Sequence, residues 1–376
     1  MMKKIFVFLS AIMLAVAFAV PAGAVDWDFY ASVRFQTFNV NADENNTYYG
    51  TTGFDDRDSR WALNTVSRIG ATVQNGDIGG RFEYGHTSSD VTLRRLYGTW
   101  NFGPGELLVG KDYTPIHFVT GQVYDNDSGL RRFGGFFTFQ PMIQVKVDGF
   151  KLALISPNNG EPTNLDSDGT ATTSDPDDAT NTTDDRVDYD NTYPKVEVSY
   201  TLAMDTFSLK VFGGWNAFEV VNSLDREYDV TCYVYGVSGV VNVGPVTLKA
   251  MVWEGQNVGL YGLTTNHEID DTPDYLQNDI RDNNGYGGVA SIGVKINDVI
   301  GVEAGYGYVT GEDDAIGKDD NDDAWCAYLQ APITLAQGVM IVPEIGHYDY
   351  EKNDTVGNNA DQGYETYFGA KWQIAF

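Results

Sequence analysis

The sequence predicts an all-β protein, a transmembrane antiparallel β-barrel with sixteen strands as the best count. Three observations predict it: period-two alternation along the chain, short turns alternating with long polar stretches, and a final strand with one greasy face. That final segment, Gly363 to Phe376, reads GYETYFGAKWQIAF. Tyr364, Thr366, Phe368, Ala370, Trp372, Ile374 and Phe376 share one face, and Glu365, Tyr367, Gly369, Lys371 and Gln373 share the other.

The N-terminus has a different design. Lys3 and Lys4 precede an apolar run from Ile5 to Val20, and Ala22-Gly23-Ala24 is a small-residue cleavage pattern, so residues 1–24 are expected to be a cleaved signal peptide. Residues 25–376 then form one barrel domain. Beyond residue 24 no uninterrupted apolar stretch approaches the roughly 20 residues a spanning helix needs, so a membrane-resident chain would have to span with strands. The 41 Gly, 23 Tyr, 20 Phe and 7 Trp suit a wall in which alternate residues face lipid and aromatic girdles mark the interfaces. A net charge of −29 argues against nucleic acid as a partner. Cys232 and Cys326 fall on the tenth and fourteenth predicted strands, too far apart for a disulfide.

Seven short connectors supply turn chemistry: Asn75-Gly76-Asp77, Gly103-Pro104-Gly105, Asp148-Gly149, Met204-Asp205-Thr206, Gly244-Pro245, Asn297-Asp298 and Gln337-Gly338. Eight longer stretches lie between them, near 41–58, 87–90, 113–131, 158–186, 222–228, 263–283, 312–323 and 353–362. The strands so delimited are 25–40, 59–74, 78–86, 91–102, 106–112, 133–147, 150–157, 187–203, 207–221, 229–243, 246–262, 284–296, 299–311, 324–336, 339–352 and 363–376. Phe133 to Lys151 mixes Gly and Pro with aromatics, which leaves fourteen or eighteen strands open.

Alternation assigns the two faces. In the first strand Trp27, Phe29, Ala31, Val33 and Phe35 are apolar, so Tyr30, Ser32, Arg34 and Gln36 point inward. In the second, Trp61, Leu63, Ile69, Ala71 and Val73 face lipid and Arg60, Asn64 and Arg68 the interior. The same parity places Arg81, Glu83, Arg95, Tyr97, Thr99 and Asn101 inside, and leaves Arg94 on the outer register. An arginine facing lipid at mid-membrane costs about 2–4 kcal/mol, so Arg94 is expected near the rim or in a subunit interface.

Short turns on one side, long loops on the other, the N-terminal signal and the terminal aromatic strand resemble the Gram-negative outer-membrane general (diffusion) porin family, the sixteen-stranded trimeric type. The resemblance spans the whole mature chain. It implies an outer-membrane location, a homotrimer in lipid and lipopolysaccharide, and a C-terminal signal for the barrel-assembly machinery, here Phe368, Trp372, Ile374 and Phe376. It also implies that the third long loop, residues 113–132, folds into the lumen and sets an acidic face against a basic wall. Asp112, Asp125 and Asp127 would be the acidic side of that pore constriction, and Arg34, Arg68, Arg81 and Arg95 the basic side. The bland alternatives are an ordinary solvated loop and arginines that pair locally with Glu83. His117, in this loop, is read as a solvated residue.

The expected function is a water-filled channel for passive diffusion of ions and small hydrophilic solutes. The acidic extracellular loop 158–186 and the run EDDAIGKDDNDD, 312–323, give it a modest cation preference. Two alternatives stand: a substrate-selective, anion-binding porin governed by the arginines, and a plugged structural or adhesive barrel. The scattered His86, His117, His267 and His347 show no metal-ligand spacing, and no activated nucleophile stands out, so neither an enzyme nor a metal site is expected. No cofactor is expected beyond weak surface calcium at DSDGT or DDNDD.

Overall fold

A computed structural model of the chain describes residues 25–43, 56–87, 90–157, 188–191, 193–221, 227–263, 273–276, 279–313, 321–353 and 360–376. The expected signal peptide 1–24, the acidic loop 158–186 and most of the run 312–323 lie outside the described residues.

The wall is a closed antiparallel barrel of sixteen strands. In chain order they are β1 (Asp26–Ala42), β2 (Asp56–Leu63 and Arg68–Asn75), β3 (Ile78–His86), β4 (Val91–Asn101), β5 (Glu106–Tyr113), β6 (Phe139–Val147), β7 (Phe150–Ile155) and β8 (Asp188–Asp190 and Lys195–Ala203). The second half comprises β9 (Phe207–Val221), β10 (Glu227–Val243), β11 (Val246–Gln256), β12 (Asn283–Lys295), β13 (Gly301–Asp313), β14 (Asn321–Gln330 and Ile333–Ala336), β15 (Val339–Asp349) and β16 (Tyr364–Ala375). Each strand pairs with its sequence neighbours, and β1 closes the ring on β16 in a register running from Ser32↔Ala375 to Ala42↔Glu365. Closure removes the sheet edges that would otherwise leave backbone groups unpaired.

The short turns hold because their residues accept the required backbone. Val147 pairs with Phe150 across Asp148-Gly149, whose φ values of 46° and 84° place both in the left-handed region that a two-residue hairpin turn demands. A Cβ on Gly149 would also lie 2.4 Å from the Thr201 carbonyl oxygen, so glycine is required twice over.

Three departures from strict alternation matter. The predicted second strand breaks at 64–67, where the Asn64 side-chain oxygen accepts from Val66 N and the Ser67 hydroxyl bonds to Arg34 O. Between β3 and β4 the register slips: Glu83 opposes Arg95 but Tyr84 opposes Leu93. Arg94 is the extra residue of this bulge and turns inward, so its expected outward position is corrected. The predicted sixth strand starts at Phe139 rather than 133, so the preceding connection runs from 114 to 138.

Outer side chains are apolar and exposed, with Trp61 and Phe29 each at 69% and Phe376 at 80%. The core lies on the opposite face. Ile116, Leu130, Phe133 and Phe136 of the 114–138 segment are buried with Phe212, Trp253, Tyr348 and Tyr367 from the inner register of β9, β11, β15 and β16. Phe136 meets Trp253 with ring centroids 5.2 Å apart, and Phe133 meets Tyr348 at 4.5 Å.

Val211 lies part-way along the outer face of β9 and is exposed. Val211→Arg is expected to lower unfolding stability by about 2–4 kcal/mol, read by urea titration of the protein in lipid vesicles.

Candidate functional site

On the inner face of β1 to β5, charged side chains are tied together around one carboxylate. Glu83, with no solvent exposure, faces three guanidinium groups: Arg94 Nε at 3.0 Å, Arg81 Nη2 at 3.3 Å and Arg68 Nη1 at 3.7 Å. Its Oε2 also accepts the Tyr30 hydroxyl at 2.7 Å, and Arg81 Nε donates to that same Tyr30 oxygen at 2.8 Å. The slip between β3 and β4 allows this convergence, because strict alternation cannot bring Arg94 and Arg95 to one face.

The expected acidic residues are found in ion pairs rather than as a free acidic face. Asp112, on β5, accepts from Arg95 Nε at 2.6 Å. Asp127 is held by Arg34 and by Lys371 Nζ at 2.9 Å, and Asp125 by Arg132 Nη2 at 3.0 Å. Lys371 belongs to the polar face of the terminal strand, whose other face carries Phe368, Trp372, Ile374 and Phe376 exposed on the outside.

Asp125, Asn126 and Asp127 form a turn in which all three adopt positive φ, 52°, 63° and 53°. Asn and Asp tolerate this region best among residues with a Cβ, yet such conformations cost on the order of 1–3 kcal/mol and persist only when neighbours fix them. Here the two aspartates are ion-paired, the Asn126 side-chain oxygen accepts from Thr65 N at 2.9 Å, and Asn126 N donates to Gln36 at 3.3 Å. The break in β2 frees the Thr65 N–H for this bond.

The rest of segment 114–138 is fastened by wall side chains that answer its backbone. Glu344 accepts from Val123 N at 2.8 Å and Tyr124 N at 2.9 Å, and Glu303 from Gly121 N at 3.0 Å. Lys210 Nζ donates to the carbonyls of Pro115 and His117, and Trp253 Nε1 to that of Gly134. Gln122 donates to the hydroxyls of Tyr348 and Tyr367 and accepts from Leu130 N. An irregular segment needs such partners, since each buried backbone group left unpaired costs about 1–3 kcal/mol.

Two cavities adjoin this network. One of about 300 Å³ is lined by residues including Arg34, Arg68, Arg94, Lys371, Asp127 and His117. A second, of about 720 Å³, lies toward the short turns and includes Tyr97, Asp112, Gln144 and Lys151. His117 is half-buried and stacked on Tyr113 with centroids 4.2 Å apart, which corrects its reading as a solvated residue. Burial, with the nearby Lys210 ammonium, pushes its imidazole down to about 3.

All four predicted arginines and all three predicted aspartates thus lie in ion pairs on one side of the barrel: Arg68 and Arg81 around Glu83, Arg95 with Asp112, Arg34 with Asp127, and Asp125 with Arg132. Sequence reasoning placed Glu83 inside only as a local partner, put Arg94 outside, and missed Arg132 and Lys371 as partners. The polar parity of Lys371 on the last strand was the available signal for that residue.

No family model and no curated protein matches the chain. Solved structures do match. The outer membrane channel DcaP of Acinetobacter baumannii is similar over 94% of this chain and 98% of its own, with a TM-score of 0.67 at 14% identity. A loop L8 deletion mutant of OmpT, an outer membrane protein of Vibrio cholerae, is similar over 93% and 99%, with a TM-score of 0.57 at 16% identity. An anion-selective porin from Comamonas acidovorans is similar over 94% and 100%, with a TM-score of 0.52 at 14% identity. The chain has the fold of the outer-membrane porins, a closed sixteen-stranded barrel.

Glu83→Gln leaves three guanidinium groups without their shared carboxylate and is expected to cost about 3–5 kcal/mol in chemical unfolding. Burial and the nearby Lys210 ammonium hold the folded His117 imidazole well below the range of an exposed histidine, whereas the unfolded imidazole protonates near 6.5. Below that value the unfolded chain binds more protons, so this residue lowers stability as pH falls. His117→Phe is expected to shrink the drop in thermal midpoint between pH 7 and pH 4.

Proposed function

We propose that this chain is a passive outer-membrane diffusion channel of a Gram-negative bacterium, with segment 114–138 lying across the lumen as its constriction. The observation that carries the reading is the set of bonds from that segment to inner side chains on β1, β8, β9, β11, β13, β15 and β16, strands distributed around the ring. A loop hung outside the mouth could not reach so many inner positions. The cavities left beside it adjoin the arginine-bearing wall, so the path for solute is eccentric and bordered by that wall.

Charge at this point favours anions. Counting the charged side chains paired beside segment 114–138 or bonded to it, nine cations (Arg34, Arg68, Arg81, Arg94, Arg95, Arg132, Lys195, Lys210 and Lys371) answer seven carboxylates (Glu83, Asp112, Asp125, Asp127, Glu197, Glu303 and Glu344), an excess of two positive charges, and the arginines are concentrated on one wall. The acidic runs of the sequence favour cations, but at physiological salt charge beyond about 8 Å is screened, and the arginines border the narrow path itself. The anion-preferring alternative therefore replaces the modest cation preference expected from the acidic loops. The similar porin from Comamonas acidovorans is anion-selective, which agrees with this choice.

The assembly proposed is a homotrimer, as in the trimer form of Vibrio OmpT, with export through residues 1–24 and Phe368, Trp372, Ile374 and Phe376 read by the assembly machinery. Lipid and lipopolysaccharide surround it, and it acts without cofactor or catalysis.

In a planar bilayer under a potassium chloride gradient, the reversal potential is expected to be anion-signed. Arg34→Glu with Arg68→Glu is expected to move it toward the cation sign. A cation-signed potential for the unaltered protein rejects the anion reading, and no conductance from inserted protein rejects the channel.

A further inference from the structure

We propose that the cavity of about 300 Å³ beside segment 114–138 binds a planar aromatic carboxylate. The inference deepens the anion-channel reading and rests on it. The cavity has the size of a small-molecule site, and its lining combines two chemistries that a simple ion path does not need.

The first is cationic with an unspent donor. Arg34, Arg94 and Lys371 are engaged with carboxylates, but Arg68 Nε has no hydrogen-bond partner. The nearest carboxylate oxygen to Arg68, Glu83 Oε1 at 3.7 Å, already accepts from Arg94 Nε at 3.0 Å. A largely buried guanidinium in this state favours an incoming acceptor, and a carboxylate matches its forked donors better than a spherical ion does.

The second is aromatic. The rings of segment 114–138 and its flanks divide into two sets. Phe133 and Phe136 are fully buried against the wall, whereas Tyr113, His117 and Phe137 are only half-buried and line the cavity. These three form one cluster: His117 stacks on Tyr113, and Phe137 stands edge-on to both, with centroids 6.0 Å and 5.4 Å away. His117 and Arg95 cover the Tyr113 ring and Arg131 lies over Phe137, so what remains half-exposed of this cluster is an apolar ring edge next to an anion anchor. Arg95 is held over the Tyr113 ring at 5.1 Å and over the Tyr97 ring at 5.4 Å, which continues the pairing of cation and ring toward the second cavity.

A planar aromatic acid uses both surfaces at once, its carboxylate on the arginines and its ring on the Tyr113, His117 and Phe137 cluster. A saturated ring acid of the same charge and similar bulk uses the first fully and the second poorly. One aromatic contact beyond area burial corresponds to roughly two- to tenfold in affinity.

The test uses the full-length protein in a planar bilayer carrying potassium chloride current, with benzoate or cyclohexanecarboxylate added. Benzoate is expected to halve the current at a concentration about two- to tenfold lower, and Phe137→Leu is expected to bring the two acids together. Equal potency in the unaltered protein, or no block by either acid, overturns the proposal while an anion-signed reversal potential leaves the channel reading standing. A difference that survives in Phe137→Leu overturns the assignment to this cavity. A cation-signed reversal potential overturns the anion reading and this proposal together.

Discussion

Three guanidinium groups on neighbouring strands share the buried Glu83 carboxylate, and the geometry of the inner wall follows from that sharing. Like charges this close repel strongly where water is scarce, so they converge only when a carboxylate stands among them. The slip between β3 and β4 is what lets them converge. It breaks alternation by one residue and places Arg94 beside Glu83 while Arg95, its neighbour, still reaches Asp112. Tyr30 then bridges Glu83 and Arg81 from β1, so that β1 to β4 are tied into one polar layer.

The same economy governs segment 114–138. A chain without regular structure must find partners for its backbone, and the wall supplies carboxylates where N–H groups arrive and donors where carbonyls arrive. Glu303 and Glu344 meet Gly121, Val123 and Tyr124, and Lys210 and Trp253 meet Pro115, His117 and Gly134. Apolar side chains seal the contact, with Tyr124 stacked on Tyr367 at 3.8 Å. The left-handed turn at Asp125 to Asp127 is held by ion pairs on both aspartates, so its backbone strain and its electrostatics have the same support.

Much of this was legible in the sequence. Period two and the residues of the seven short turns were enough for sixteen strands, because a hairpin such as Val147-Asp148-Gly149-Phe150 states its own geometry. Parity alone placed Arg34, Arg68, Arg81 and Arg95 inside. Parity failed at Arg94, because a bulge adds a residue without leaving a mark in hydropathy. Phe212, Trp253 and Tyr348 were also hard to read: they are apolar on the inner face because another segment covers them, and hydropathy cannot distinguish cover by protein from cover by lipid. The aspartates were recognisable as a group, but their partners Lys371 and Arg132 depend on how the chain folds back.

Segment 114–138 is proposed both to narrow the path and to fix the charge beside it. Phe118 and Phe136 bridge each other through paired backbone bonds of 2.9 Å and 3.0 Å, so residues 119–135 can be replaced by a short glycine link between ends already adjacent. The single-channel conductance of that variant is the direct measurement. A several-fold rise over the unaltered protein is expected, and unchanged conductance from correctly inserted barrels would mean the segment does not narrow the path.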